Sequence, residues 1–281
     1  MNGTIVKIIS NLYTVEVDGK YYECRARGKF RNEGITPLVG DKVVIDTENN
    51  YILEIKKRIN SLDRPMIANI DSAIIVTSVK EPNLSLNLLD KLLTIIISKK
   101  IEPIIVLTKL DLLDFKEKRE LQKIIKYYKK LDIPVIKNTE LRKLTKYINK
   151  KTVVLTGQTG AGKSSLLNKI DKSLNLATNE ISRALGRGKH TTRHVELFNY
   201  KNSLIADTPG FSALDINDIT NEEIKNSFKE FNVNCKYQDC NHINEQGCAV
   251  IKLVNNNKIL KSRYENYLKF RRQKWKYPYL L

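Results

Sequence analysis

Short alternations of apolar and polar residues fill the first 64 positions and then give way to longer apolar blocks. Ile5–Ile9 reads as one strand, and Tyr13, Val15 and Val17 alternate with polar residues in a second. Asp18-Gly19 is a hairpin signal leading into a third strand at Lys20–Arg27. Lys42–Asp46 follows Gly40-Asp41, and Asn49-Asn50 separates it from Tyr51–Lys57. Five short strands with turn signals predict a small closed barrel of the OB or SH3-like kind. Arg64-Pro65 reads as a linker. From about residue 70, apolar blocks at 72–79, 103–107, 133–136 and 152–156 alternate with helical patterns at 87–98, 113–130 and near 141–149. Near-continuous apolar strands joined by helices predict a mostly parallel sheet covered on both faces, with ligands at the carboxyl ends of its strands. After Asp215 the strands stop and a polar helical region follows.

The strongest chemical signal is Gly157-Gln158-Thr159-Gly160-Ala161-Gly162-Lys163-Ser164, followed by Ser165, between an apolar strand and a helix. Glycines let backbone N–H groups turn toward phosphate oxygens at a helix N-terminus, where Lys163 can bridge the β- and γ-phosphates and Ser164 can ligate Mg²⁺. Downstream, Ser203–Ala206 leads into Asp207-Thr208-Pro209-Gly210. Asp207 stands where a Walker-B carboxylate meets Mg²⁺, and the Gly210 N–H is placed to sense the γ-phosphate.

A third piece, Thr108-Lys109-Leu110-Asp111, again follows a strand and is similar to the guanine-reading Asn-Lys-x-Asp of GTPases. A carboxylate there accepts hydrogen bonds from guanine N1–H and N2–H₂, which adenine cannot supply, while Lys109 covers the base with its stem. Thr108 keeps a hydroxyl but lacks the usual amide. In ordinary GTPases the base-reading motif follows the phosphate loop; here it comes first, so residues 70–215 read as a circularly permuted G domain.

Composition adds a charge argument. Lys+Arg 49 against Asp+Glu 31 gives a net +18, which favours a polyanionic partner, although a Lys-, Ile- and Asn-rich chain also reflects biased composition. On the barrel, Arg25, Arg27, Lys29 and Arg31 read equally as RNA contacts or as solvated charges. No apolar run approaches the ~18 residues of a membrane span. Met1-Asn2-Gly3-Thr4 has no signal-peptide character, so the expected location is cytoplasmic. Cys235-x₄-Cys240-x-His242-x₅-Cys248 supplies a Cys₃His set that suits one structural zinc ion with no open position. Cys24 reads as a packed strand residue. Past the cluster, Leu260, Tyr264, Tyr267 and Leu268 fall on one helix face, while Lys261, Arg263, Lys269, Arg271, Arg272, Lys274 and Lys276 read as charges available to RNA phosphates.

Barrel, permuted G domain and Cys/His module together resemble the RsgA (YjeQ) family of small-ribosomal-subunit-dependent GTPases across nearly the whole chain. The resemblance implies a multidomain α/β protein. It has an N-terminal five-stranded OB-like β-barrel binding RNA (1–64), a circularly permuted P-loop GTPase domain (65–215) and a C-terminal helical zinc-binding domain (216–281). Asn138-Thr139 departs from the family's Ser-containing base-backing motif. Gly186-Arg187-Gly188-Lys189-His190-Thr191-Thr192-Arg193 resembles the family's switch segment. By that resemblance Thr192, with Thr191 its nearest competitor, ligates Mg²⁺, and His190 orients the attacking water in place of the Gln that Phe211 cannot replace. The implied function is GTP hydrolysis to GDP and phosphate, slow alone and stimulated by the small ribosomal subunit and its rRNA, in a monomer that assists late subunit maturation. The competing readings are a P-loop ATPase or kinase acting on a small substrate, and an RNA-binding module whose nucleotide site is structural.

Overall fold

The computed structural model describes residues 1–63, 66–170, 195–207 and 215–275. The chain packs as two compact units interleaved in sequence: residues 1–74, 138–156 and 162–213 form one, and residues 75–137, 157–161 and 214–281 the other.

In the first unit, β1 (Asn2–Ile9), β2 (Leu12–Val17), β3 (Lys20–Ala26), β4 (Lys42–Asp46) and β5 (Tyr51–Ile55) close a barrel in the order β1-β2-β3-β5-β4-β1. All its neighbours run antiparallel except β3 and β5, which are parallel. Inward positions alternate along each strand and fill the interior with Ile5, Val15, Cys24, Val43, Ile45 and Ile52. Cys24 is thus a packed strand residue, as its neighbours in sequence implied. A short helix, α1 (Gly28–Asn32), adds Phe30 to this core. Asp41 is fully buried and held by Arg58 through bonds of 2.7 and 2.8 Å, while the Leu38 N–H donates to its Oδ2.

The span around the expected linker is ordered differently. Ser61–Asp63 (β6) and Met66–Ala68 (β7) pair antiparallel, with Asp63 opposite Met66; Arg64 and Pro65 lie outside the described residues. Beyond the barrel, β1 also pairs with Glu196–Tyr200 (β12), which starts two residues after His194. β12 turns back into Ser203–Asp207 (β13), which runs parallel to Thr152–Gly157 (β11). Leu141–Ile148 (α4) and Lys163–Ile170 (α5) belong to the same unit.

The second unit holds strands in the order β10 (Val135–Lys137), β9 (Glu102–Thr108) and, from residue 75 onward, β8 (Ser72–Ser78). β10 starts two residues later than the apolar pattern implied, because the Ile133 N–H donates to the Tyr128 carbonyl at 3.2 Å and Pro134 has no N–H for a ladder. Helices α2 (Leu86–Ser98), α3 (Phe115–Lys130), α6 (Asn221–Ser227), α7 (Ala249–Asn255) and α8 (Lys261–Trp275) follow. α2 packs against both α6 and α8. Side chains cap α2 at Ser85 and α6 at Thr220, satisfying amides that the helix leaves open.

The docking of α8 rests on charge rather than on apolar area alone. Arg263, 1% exposed, donates to Asp90 on α2 at 2.8 Å and to both carboxylate oxygens of Glu230 at 2.8 and 3.2 Å. Tyr128 and Asn266 complete Asp90 at 2.6 Å each, and Tyr127 reaches Glu230 at 3.0 Å. The guanidinium lies 4.3 Å from the Phe228 ring centre. Burial and the neighbouring Asp90 push the Tyr128 phenol well above its ordinary range, so it remains a donor. This overturns part of the sequence reading. Arg263 is a core residue, and Arg271, also buried, donates to the Asn221 carbonyl and the Asn241 side chain. Neither charge is available to RNA. Among the described residues no helix is long and apolar enough to cross a membrane.

Replacing Arg263 by Ala strands two buried carboxylates and is expected to destabilise this unit by about 3–5 kcal/mol. Urea unfolding monitored by circular dichroism measures it; a loss below 1 kcal/mol would show that water already compensates these acids.

Candidate nucleotide site and metal cluster

The phosphate-loop sequence begins where β11 ends. Gly157 adopts φ +135°, and a Cβ there would sit 2.0 Å from the Val76 carbonyl oxygen, so only glycine fits against β8. Gly160, at φ +78°, faces Pro82. The Ala161 N–H closes the turn onto the Gln158 carbonyl at 3.1 Å. α5 then starts at Lys163, anchored by buried Leu166 and Leu167, and leaves Lys163 and Ser164 half-buried and Ser165 exposed. Thr159 is exposed at the loop's crest. A strand, a glycine turn and a helix start are the parts a phosphate cradle requires.

The second motif meets the first directly. Thr108, 3% exposed at the end of β9, donates its hydroxyl to the carbonyl of Ala161 at 2.7 Å. Its own carbonyl accepts the Val79 N–H at 3.2 Å. Lys109 takes a left-handed conformation (φ +58°) and its Nζ donates to the Glu81 carbonyl. The chain then makes a 3₁₀ turn, Leu110–Leu112, on which Asp111 is exposed. Asp114 and Glu117 form a capping box at the start of α3, and Glu117 also grips Lys80 at 3.0 Å. The Asp114 N–H and then Lys80 hold the Glu117 carboxyl below its usual range. The segment from 108 to 117 is therefore fixed to the phosphate loop at one end and to the loop after β8 at the other.

Other expected site residues divide by location. Asp207 ends β13, one position beyond Ala206, which pairs with Val154 of β11. Gly210, His190, Thr191 and Thr192 lie outside the described residues.

Cys235, Cys240, His242 and Cys248 converge so that their ligand atoms all lie within 4.8 Å of one another. Cys235 Sγ is 3.5 Å from His242 Nδ1 and 3.9 Å from Cys248 Sγ, and Cys248 Sγ is 3.4 Å from the same nitrogen. A tetrahedral ion with metal–sulfur bonds of about 2.3 Å and metal–nitrogen bonds of roughly 2.0–2.1 Å gives edges of about 3.8 and 3.6 Å, so Cys235, His242 and Cys248 stand at the spacing such an ion requires, with Cys240 close by. Burial raises the Cys235 thiol, but N–H groups of Ala249 and Val250 outweigh it and hold this thiol below its ordinary range. Burial lifts Cys240 up to about 12. Burial and then Lys225 lower His242, which keeps the ring neutral, as a metal ligand must be. One contributor escaped the sequence reading. Glu245 accepts backbone N–H bonds from Asn241, Ile243 and Asn244 inside the ligand loop.

On the barrel, a groove of about 930 Å³ is lined by Ile9, Leu12, Ile35, Arg25, Arg27 and Arg31. Ile9, Leu12 and Ile35 are exposed, Phe30 is buried at its base, and the arginines are exposed beside them. Apolar floor and basic rim suit unstacked bases and their phosphates.

Comparison with known proteins agrees with this arrangement. Residues 2–52 match the family model described as the RsgA N-terminal domain, and residues 50–217 the one described as RsgA GTPase. The small ribosomal subunit biogenesis GTPase RsgA of Enterococcus faecalis is 46% identical over 279 residues, covering 96% of this chain and 94% of its own. RsgA 2 of Oceanobacillus iheyensis is 48% identical over 279 residues, covering 95% of each. Among solved structures, the crystal structure of YloQ, a circularly permuted GTPase, matches with a TM-score of 0.84 at 34% identity, covering 100% of this chain and 96% of that one. YjeQ from Thermotoga maritima matches with a TM-score of 0.85 at 35% identity, covering 98% of each.

Thr108→Val removes the hydroxyl and leaves the buried Ala161 carbonyl unpaired, a cost of about 1–3 kcal/mol. Affinity for guanine nucleotides, read by titration with a fluorescent GDP analogue, is expected to fall roughly 5- to 100-fold. Thr108→Ser is expected to retain it; equal binding by all three proteins would show that this hydrogen bond does not support the site.

Proposed function

The chain belongs to the RsgA family of circularly permuted GTPases, and we propose that it selects guanine through Asp111, hydrolyses GTP and acts in late maturation of the small ribosomal subunit. The observation that carries the reading is the 2.7 Å bond from Thr108 to Ala161, which ties the base-reading segment to the phosphate loop despite their reversed order in the chain. Relatives named for small ribosomal subunit biogenesis, aligned over nearly their whole length, support the choice of partner.

In this mechanism the amides of 157–164 surround the β-phosphate, Lys163 neutralises charge between the β- and γ-phosphates, and Asp111 accepts the guanine N–H groups beneath the Lys109 stem. Ser164, Thr192 and Asp207 would hold Mg²⁺; when bound, that ion neutralises charge on the phosphate oxygens. Gly210 senses the γ-phosphate. His190 orients the attacking water. Phosphoryl transfer depends on positioning and charge stabilisation, so a site completed only when a partner orders the segment 186–193 turns over slowly by itself.

The Cys₃His set holds zinc as a structural ion, because four protein ligands leave no position for catalysis. Residues 1–64, 65–215 and 216–281 are the functional divisions. The barrel groove and the remaining exposed cations of α8, Lys261, Lys269 and Arg272, supply contacts to rRNA phosphates. Permutation sets the metal module directly downstream of Asp207–Gly210, so a γ-phosphate that orders this segment repositions the module on the subunit.

Hydrolysis measured with GTP and ATP, with and without purified small subunits, tests the reading. GTP is expected to be preferred at least 100-fold and its turnover to rise at least tenfold with subunits; Lys163→Ala abolishes both. Equal use of ATP would transfer the site to the ATPase or kinase class. His190→Ala is expected to keep nucleotide affinity while losing the stimulated rate, and normal stimulated turnover in that variant would remove His190 from the mechanism.

A further inference from the structure

The ligand loop between Cys240 and Cys248 contains six residues besides His242, and its conformation is not one that the cysteines themselves impose. His242 sits in the left-handed region at φ +57°, which a residue with a side chain adopts only when its surroundings hold it there. That conformation turns neighbouring amides toward one point, and a carboxylate occupies the point. Glu245 Oε1 accepts the Asn241 N–H at 2.7 Å, and Oε2 accepts those of Ile243 at 2.7 Å and Asn244 at 3.1 Å. The Glu245 carbonyl in turn accepts the Cys248 N–H at 3.2 Å. The same residue thus reaches both sides of the metal cluster, the backbone around His242 and the amide of the last cysteine.

On the opposite side the carbonyls of this turn are held by α8. The Tyr267 hydroxyl donates to Asn241 at 2.5 Å, and the Tyr264 hydroxyl reaches His242 at 2.9 Å and Ile243 at 3.1 Å. Asn241 and Asn244 are exposed, so water can satisfy their amides without Glu245. For these two amides the carboxylate is not needed to prevent an unpaired group; only the half-buried Ile243 N–H depends on it. Its effect is to gather three amides at once and so to select the one backbone path that aims His242 Nδ1 at the sulfurs.

We infer that Glu245 is a positioning residue for the metal site, holding the His242 turn in its ligating conformation and thereby setting how tightly the ion is retained. The inference rests on the Cys₃His set being a metal centre. Outer groups of this kind commonly govern metal affinity by 10- to 100-fold.

Glu245→Gln keeps the shape of the side chain but replaces one acceptor oxygen by a donor that faces an N–H group. In the full-length, zinc-loaded protein, competition with a chromophoric chelator is expected to give a zinc dissociation constant at least tenfold weaker than that of the parent. The cobalt-substituted variant is expected to show a weakened thiolate-to-metal charge-transfer band. GDP affinity, read in parallel, stays unchanged. Glu245→Asp, which keeps the charge but shortens the reach, is expected to fall on the same side as Gln. Zinc affinities within twofold of the parent, with an unaltered cobalt spectrum, in either variant would overturn the assignment. A parent protein that takes up neither zinc nor cobalt would instead overturn the metal reading beneath it.

Discussion

One guanidinium shared by two carboxylates governs the arrangement of the second unit. Arg263 is enclosed with Asp90 and Glu230 where water cannot solvate any of the three. Apolar side chains of similar volume often stabilise as well as such a cluster does, so its distinctive contribution is directional. α8 cannot rotate or slide along α2 without withdrawing the Arg263 and Asn266 donors from Asp90 and leaving it Tyr128 alone. Fixing that register fixes everything else the helix carries. Tyr264 and Tyr267 stand one and four residues beyond Arg263, and they are the side chains whose hydroxyls hold the carbonyls of the His242 turn. The geometry of the cysteine cluster thus descends from a contact made by α2, far away in sequence.

The nucleotide site follows a different logic, in which backbone proximity matters more than charge. Gly157 lies against the Val76 carbonyl with no room for a side chain, and Thr108 reaches the same loop from the neighbouring strand β9. Both contacts come from strands whose central residues, Ala73–Val76 and Ile104–Leu107, are apolar and buried. Order along the chain has no bearing on such contacts; only order across the sheet does. Reversing the succession of motifs leaves the carboxyl ends of the strands where the ligand needs them.

Much of this was legible beforehand because it follows from periodicity or from rigid chemical requirements. Barrel strands announced themselves by alternation, sheet strands by continuous apolar runs, and the metal cluster by ligand spacing. A strand after His194 was expected only as a start without an end, because Glu-Leu-Phe-Asn-Tyr is short and mixes polar with aromatic residues; its hairpin with β13 is local, but its pairing with β1 is not. Arg263 and Arg271 were misread for a related reason. On a helix with many basic residues, sequence does not say which cation meets a buried acid. The one available clue was Asp90, a lone carboxylate among Leu88, Leu89, Leu92 and Leu93, which demands a cation somewhere in the fold. Glu245 carried no such clue, since it acts through backbone amides that every residue has. His190 and Thr192 remain expectations drawn from resemblance.

β1 has two allegiances. Along one stretch it closes the barrel with β4, and at Lys7 it pairs with β12. An autonomous cassette, free to be gained, lost or exchanged between genes, should share no hydrogen-bonded edge with its host. This barrel does share one, at Lys7 and Glu196, and excising it would leave that edge of β12 without its partner. The five-stranded barrel and the strand it flanks therefore form one folding surface rather than two separable pieces.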